Sequence, residues 1–83
     1  MSKFYYTYVL RSLKDRELYI GWSDDLRQRI KAHNSGNVEA TKGRLPMKLV
    51  YYEACLVEKS AIKREKALKT GFGRKYLRER LGE

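Results

Sequence analysis

Phe4-Tyr5-Tyr6-Thr7-Tyr8-Val9-Leu10-Arg11, then a polar turn, then Glu17-Leu18-Tyr19-Ile20-Gly21-Trp22 is the stretch that decides the fold of this chain. Both runs are rich in aromatic and β-branched residues, which suit a pleated surface, and Ser12 to Asp15 between them is polar. They read as a β-hairpin. With the turn centred between Leu13 and Lys14, residues whose numbers sum to 27 face one another, so Tyr8 and Tyr19 become direct cross-strand neighbours on one face. Alternation along the second strand puts Tyr19 and Gly21 on one side and Leu18, Ile20 and Trp22 on the other, where a core is expected.

Outward from the hairpin, Ser23 followed by Asp24 and Asp25 predicts a helix start, with a capping hydroxyl and two carboxylates at the positive end of the dipole. Leu26, Ile30 and His33 recur at helical spacing and form its inward stripe, with Arg29 among them. Asn34-Ser35-Gly36 ends the helix, glycine taking the left-handed position. After a polar loop, residues 48–54 read as a third strand, and residues 59–69 as a second helix with Ala61, Ile62 and Leu68 inward. Gly71-Phe72-Gly73 reads as a break before a short basic helix from Arg74 to Arg80. The expected order is β-β-α-β-α-α, an α/β chain of the α+β type with three antiparallel strands.

At 83 residues the chain has room for one core, so residues 1–83 are expected to form a single domain. Its 19 Lys+Arg against 10 Asp+Glu give a net charge of +9, which favours a polyanionic partner. The excess is uneven. Lys63 to Arg80 holds eight basic residues against Glu65 and Glu79, a net of +6. One cysteine and one histidine exclude an internal disulfide and a four-ligand zinc site, so a reducing cytoplasm is the expected compartment. No apolar run reaches the roughly 18 to 20 residues of a membrane span, and no membrane partner is expected.

Two charges sit where apolar side chains belong. Arg29 lies on the stripe of the first helix, and Glu65, three residues from both Ile62 and Leu68, lies on that of the second. They could pair with each other, emerge at the edge of their stripes with packed stems, or face a shared cleft against the tyrosine side of the sheet. The tyrosines leave a similar choice. Tyr5, Tyr51, Tyr52 and Tyr76 read as packing or stacking residues, whereas two hydroxyls from Tyr8 and Tyr19 near an arginine and a glutamate can share a proton network with water.

Read in order, Tyr-x-Tyr, a hairpin, Tyr-Ile-Gly, Asp-Leu-x-x-Arg-x-x-x-His-Asn-x-Gly, Arg-x-Pro-x-Lys-Leu-Val-Tyr and Ala-x-x-Arg-Glu-x-x-Leu-Lys resemble the GIY-YIG nuclease superfamily. The resemblance covers roughly Tyr6 to Leu81 and is nearest to the small single-domain bacterial members. It implies a three-stranded antiparallel sheet flanked by helices. It also implies that Tyr8 ends the first signature, that Tyr19 and Gly21 belong to the second, and that Arg29, His33 and the metal-binding Glu65 complete the site. The first signature here is Tyr6-Thr7-Tyr8, without its glycine or isoleucine.

The activity so implied is hydrolysis of phosphodiester bonds in nucleic acid, DNA above all, with one Mg2+ ion. Magnesium keeps much of its water and needs only one or two protein ligands, so Glu65 suffices. Tyr8 or Tyr19 would take the proton of the attacking water while Arg29 steadies the phosphate. A phenol titrates near 10 when free, and a tyrosine base therefore needs a cation beside it, Arg29 or the metal. His33 is an alternative acceptor, though a histidine facing inward is more often a hydrogen-bonded core residue. Lys42, Arg44, Lys69, Arg74 and Lys75 are expected to hold backbone phosphates. A homodimer would let so small a nuclease reach both strands. The rival expectations are a nucleic-acid-binding module that keeps the fold without cleavage, and, less favoured, a protein-interaction adaptor.

Overall fold

β1 (Tyr5–Ser12) runs through the centre of a three-stranded antiparallel sheet, between β2 (Leu18–Ser23) and β3 (Met47–Cys55), in the computed structural model, which describes residues 3–83. Three helices complete the chain: α1 (Leu26–Asn34), α2 (Glu58–Leu68) and α3 (Gly71–Leu81). The order is β-β-α-β-α-α. As the central strand, β1 is covered on both sides, and Thr7, Tyr8, Val9 and Leu10 are all buried. Period-two alternation then divides its side chains between two cores. Tyr8 and Leu10 join Met47, with Leu26 and Ile30 of α1 packed against them, whereas Val9 joins Leu68 of α2 and Leu77 of α3. Each fully buried leucine contributes about 1.5 to 3 kcal/mol. Leu18 and Ile20 pack into the second core as the alternation requires; Trp22 is half-buried and belongs to neither cluster.

The hairpin closes later than residue counting suggests. Ser12 N–H donates to Glu17 O at 3.0 Å, Arg16 N–H donates to Ser12 O at 2.9 Å, and Arg16 takes a left-handed φ of 68°. Tyr8 therefore faces Gly21, and Tyr19 faces Leu10. The two tyrosines are diagonal rather than direct neighbours. A slip of two residues keeps every side chain on its expected face, because the side-chain period is two.

β3 departs from simple alternation. Leu10 pairs with Leu49 and Val9 with Tyr51, leaving Val50 as the extra residue of a bulge. Val50 and Tyr51, consecutive in sequence, consequently both pack toward the α2–α3 layer.

The cap of α1 is Asp25, not Ser23: its carboxylate accepts from Gln28 N–H, while Ser23 Oγ bonds the backbone of Asp25. At the other end, Gly36 N–H donates to His33 O and Asn37 N–H to Ala32 O, the paired bonds of a Schellman motif, with Gly36 at φ 78°. The Asn34 side chain then exchanges both hydrogen bonds with the Met47 backbone at 2.9 and 2.8 Å, which fastens α1 to β3.

Gly71-Phe72-Gly73 is no break but the first turn of α3, capped by Thr70, whose hydroxyl accepts from Gly73 N–H. Glycine at 73 answers a steric need. A Cβ there would lie 2.4 Å from both Ala67 O and Leu68 Cα, backbone atoms of α2 and its end.

Candidate active site

Tyr8 is the centre of the buried polar cluster between the sheet and α1. Its ring lies across β2 at Gly21, where an added Cβ would stand 2.6 Å from the phenol oxygen and 3.2 Å from the Tyr19 ring. The glycine of Tyr19-Ile20-Gly21 thus makes room for the tyrosine of the other strand. Helical spacing in α1 brings Arg29 and His33, four residues apart, onto the same phenol. His33 Nε2 is 2.8 Å from Tyr8 Oη, and Arg29 Nε–H donates to that oxygen at 3.4 Å. The far nitrogen of the imidazole, Nδ1, is 2.7 Å from Thr41 Oγ1. Tyr19 closes the cluster edge-on, its ring centroid 5.0 Å from that of His33 and 6.5 Å from that of Tyr8.

Exposure separates the two phenols. Tyr8, His33 and Thr41 are fully buried, whereas Tyr19 and Arg29 are half-buried and reach the rim. Burial pushes the Tyr8 phenol above its ordinary value, against the opposing hydrogen bond and charge of Arg29, with Tyr19 and Glu65 adding to the rise. The expected cation is present, yet burial outweighs it and the phenol stays protonated. The hydrogen bond that Arg29 donates to the Tyr8 phenol is the main influence holding the guanidinium charged by raising its pKa. His33 is driven below the ordinary histidine value by burial first and then by the charge of Arg29. A neutral imidazole accepting the Tyr8 hydroxyl at Nε2 and donating from Nδ1 to Thr41 leaves each of these protons with an acceptor.

This arrangement fixes the sign of one pH effect. A histidine that resists protonation when folded stabilises the fold above its unfolded pKa of about 6.5, and that stability is lost as pH falls through 6.5 toward the lower folded value. The melting temperature is expected to fall between pH 7 and pH 5, with the slope flattened in His33→Gln. An unchanged slope in the variant would remove His33 as its source, since the chain has only one histidine.

Glu65 reaches this region from the layer on the other side of the sheet. Its side chain is 18% exposed and pairs with Lys69 one turn along α2 at 3.7 Å; no ion pair joins it to Arg29 among the described residues. Its charge is felt at Tyr8, the least of the influences on that phenol. Among the described residues no three His, Cys, Asp or Glu side chains gather as a metal cage. His33 has both nitrogens engaged within the cluster. The Glu65 carboxylate is a hard oxygen donor, and a divalent ion that keeps most of its water accepts a single ligand of this kind.

The expected phosphate contacts divide. Lys69 and Arg74 line one groove beside Tyr19, and Lys75 is exposed one residue further along α3. Lys42 and Arg44 lie in the loop before β3 and are engaged there, Lys42 with Glu39 at 3.0 Å and Arg44 with Asp15 at 2.7 Å. The Arg44 hydrogen bonds hold the Asp15 carboxyl down at about 2. Thr41 was not legible as a site residue. It sits in a polar loop with no periodicity, and only folding brings its hydroxyl to His33.

Residues 4–77 match the family model described as the GIY-YIG catalytic domain. A UPF0213 protein of Clostridium perfringens is 46% identical over 65 residues, covering 77% of this chain and 69% of the relative. One from Haloquadratum walsbyi is 32% identical over 81 residues, covering 96% and 84%. Among solved structures, the solution NMR structure of the UPF0213 protein BH0048 from Bacillus halodurans superposes with a TM-score of 0.54 at 32% identity, covering 89% of this chain and 81% of that one.

Proposed function

Because the chain belongs to the GIY-YIG catalytic-domain family, a family of nucleases, we propose that it is a Mg2+-dependent endonuclease that hydrolyses phosphodiester bonds in DNA. The observation that carries the reading is the position of Arg29, half-buried and bonded to the buried Tyr8 phenol, against which the half-buried Tyr19 ring also packs. A guanidinium held there is a fixed positive charge for a phosphate whose negative charge grows during attack.

The roles of the two tyrosines differ by access. Tyr19 is the phenol that a water beside a bound phosphate can reach; its phenolate form, with Arg29 or the divalent ion as the cation beside it, would take that proton. Tyr8, without solvent access, is a positioning residue: it fixes Arg29 and hands its hydroxyl hydrogen bond to neutral His33, which Thr41 orients. Glu65 would hold the divalent ion. When bound, that ion supplies charge for the phosphate oxygens and a site for the departing one.

The test is a cleavage screen over single-stranded, duplex and branched DNA, and RNA, with and without Mg2+. Metal-dependent product from purified protein is expected. Tyr19→Phe should lower the cleavage rate about 100-fold, the usual scale of a lost proton acceptor, with little change in melting temperature. Tyr8→Phe should lower both, because Arg29 and His33 lose their shared partner in the interior. Equal effects of the two variants on stability would refute the division of roles. Absence of any metal-dependent product would leave a nucleic-acid-binding module, whose affinity should fall steeply with added salt.

A further inference from the structure

A groove of about 440 Å3 runs along the outer edge of β2, on the side away from α1. Leu18 and Ile20 reach it from β2 and Leu77 from α3. Three cations, Lys69, Arg74 and Arg78, stand around it against one carboxylate, Glu17. Arg74 and Arg78 are exposed, and neither forms an ion pair among the described residues.

The composition of the wall matters. A surface that only follows a phosphate backbone needs cations and no apolar floor. Apolar side chains enclosed by several cations suit a ligand with both an apolar body and a phosphate, and the volume falls within the roughly 300 to 1,000 Å3 of small-molecule sites. Two residues tie the groove to the cluster described above. Tyr19 lines it and also stands against Tyr8 and His33, and Lys69 lines it while pairing with Glu65.

We infer that this groove is a subsite for a single nucleotide flanking the phosphate to be cut, with its base on Leu18 and Ile20 and its phosphate on Arg74 and Arg78. The inference rests on the nuclease reading and adds the substrate form. A base stacked in a continuous duplex must leave the stack to enter, so strands with unpaired nucleotides at the site are the preferred substrates.

The test needs neither metal nor cleavage. The isotope-labelled chain, free of divalent ions, is titrated with a deoxynucleoside 3′,5′-bisphosphate and, separately, with inorganic phosphate, and amide shifts are followed by NMR. The bisphosphate is expected to shift Leu18, Ile20 and Leu77 and to bind more tightly than phosphate. Arg78→Glu should weaken it about tenfold or more, the scale of a lost hydrogen bond to a charged group, while the charge-matched Lys31→Glu on α1 stays within about twofold. Unchanged amide dispersion in Arg78→Glu establishes that the variant is folded. Shifts confined to other surfaces, equal losses in the two variants, or phosphate binding as tightly as the bisphosphate would overturn the subsite. Groove shifts without Mg2+-dependent cutting would instead overturn the nuclease reading and leave the subsite standing; cutting without groove shifts would do the reverse.

Discussion

Glu65→Gln is expected to lower Mg2+-dependent cleavage by about a thousandfold or more while leaving nucleic-acid binding and the fold nearly intact. A divalent ion at a reacting phosphate contributes several kcal/mol of charge stabilisation, and about 1.4 kcal/mol corresponds to each factor of ten in rate. Glu65 is the carboxylate proposed to hold that ion, and no cage of further ligands stands behind it among the described residues. Glutamine keeps the size and most of the packing. The structural loss is confined to a loose pair with Lys69 at 3.7 Å, and a helical pair of this spacing is worth only about 0.3 to 0.5 kcal/mol. Quenched single-turnover cleavage, binding of an uncut oligonucleotide and thermal melting separate the three quantities. A variant that cuts as fast as the parent would show either a contaminating nuclease or an ion held without Glu65. A parent that binds but never cuts would establish the binding module instead.

Gly73→Ala is the change expected to damage the fold most. Its methyl group would enter the backbone of the α2 terminus, 2.4 Å from Ala67 O and from Leu68 Cα, and no side chain can rotate away to admit it. Overpacking a close contact typically costs about 1 to 3 kcal/mol, and rigid backbone on the receiving side puts this case at or above the upper end. For a domain of this size that corresponds to a melting temperature lower by about 12 °C or more. Gly71→Ala provides the contrast. Nothing lies within 4 Å of its added Cβ, and alanine is the better helix former, so stability should hold or rise by about 0.5 to 1 kcal/mol. Equal melting temperatures for the two variants would show that α3 can shift off α2 without cost. Because Lys69 and Arg74 flank this contact, a folded Gly73→Ala should also bind nucleic acid less tightly than Gly71→Ala.

Much of the site was legible in the chain because it depends on periodicity. Alternation in β2 placed Tyr19 and Gly21 together and sent Leu18 and Ile20 to the other core. Helical spacing put Arg29 and His33 on the face of α1 that meets Tyr8. The expectation that His33 is a hydrogen-bonded interior residue agrees with its full burial between Tyr8 and Thr41. Of the three fates open to the stripe charges, mutual pairing did not occur: Arg29 went to the phenols and Glu65 to Lys69.

Elsewhere the local signal was real but insufficient. Two glycines read as a break before Arg74, whereas both lie within α3 and it is Gly73 alone that lets two helices touch. Lys42 engages Glu39, only three residues away in sequence, whereas Arg44 engages Asp15, which folding alone brings beside it.

The chain by itself settled the elements, their order and, for Leu18, Ile20 and the stripe of α1, which side faced inward, because those follow from side-chain periods of two and 3.6. Only the folded molecule decided the hairpin register, which depends on Arg16 adopting a left-handed turn, and the bulge at Val50, which turns two consecutive residues to one layer. It also decided the balance at Tyr8. A neighbouring arginine favours phenolate, complete burial opposes it, and the winner depends on how much solvent the surrounding layers exclude.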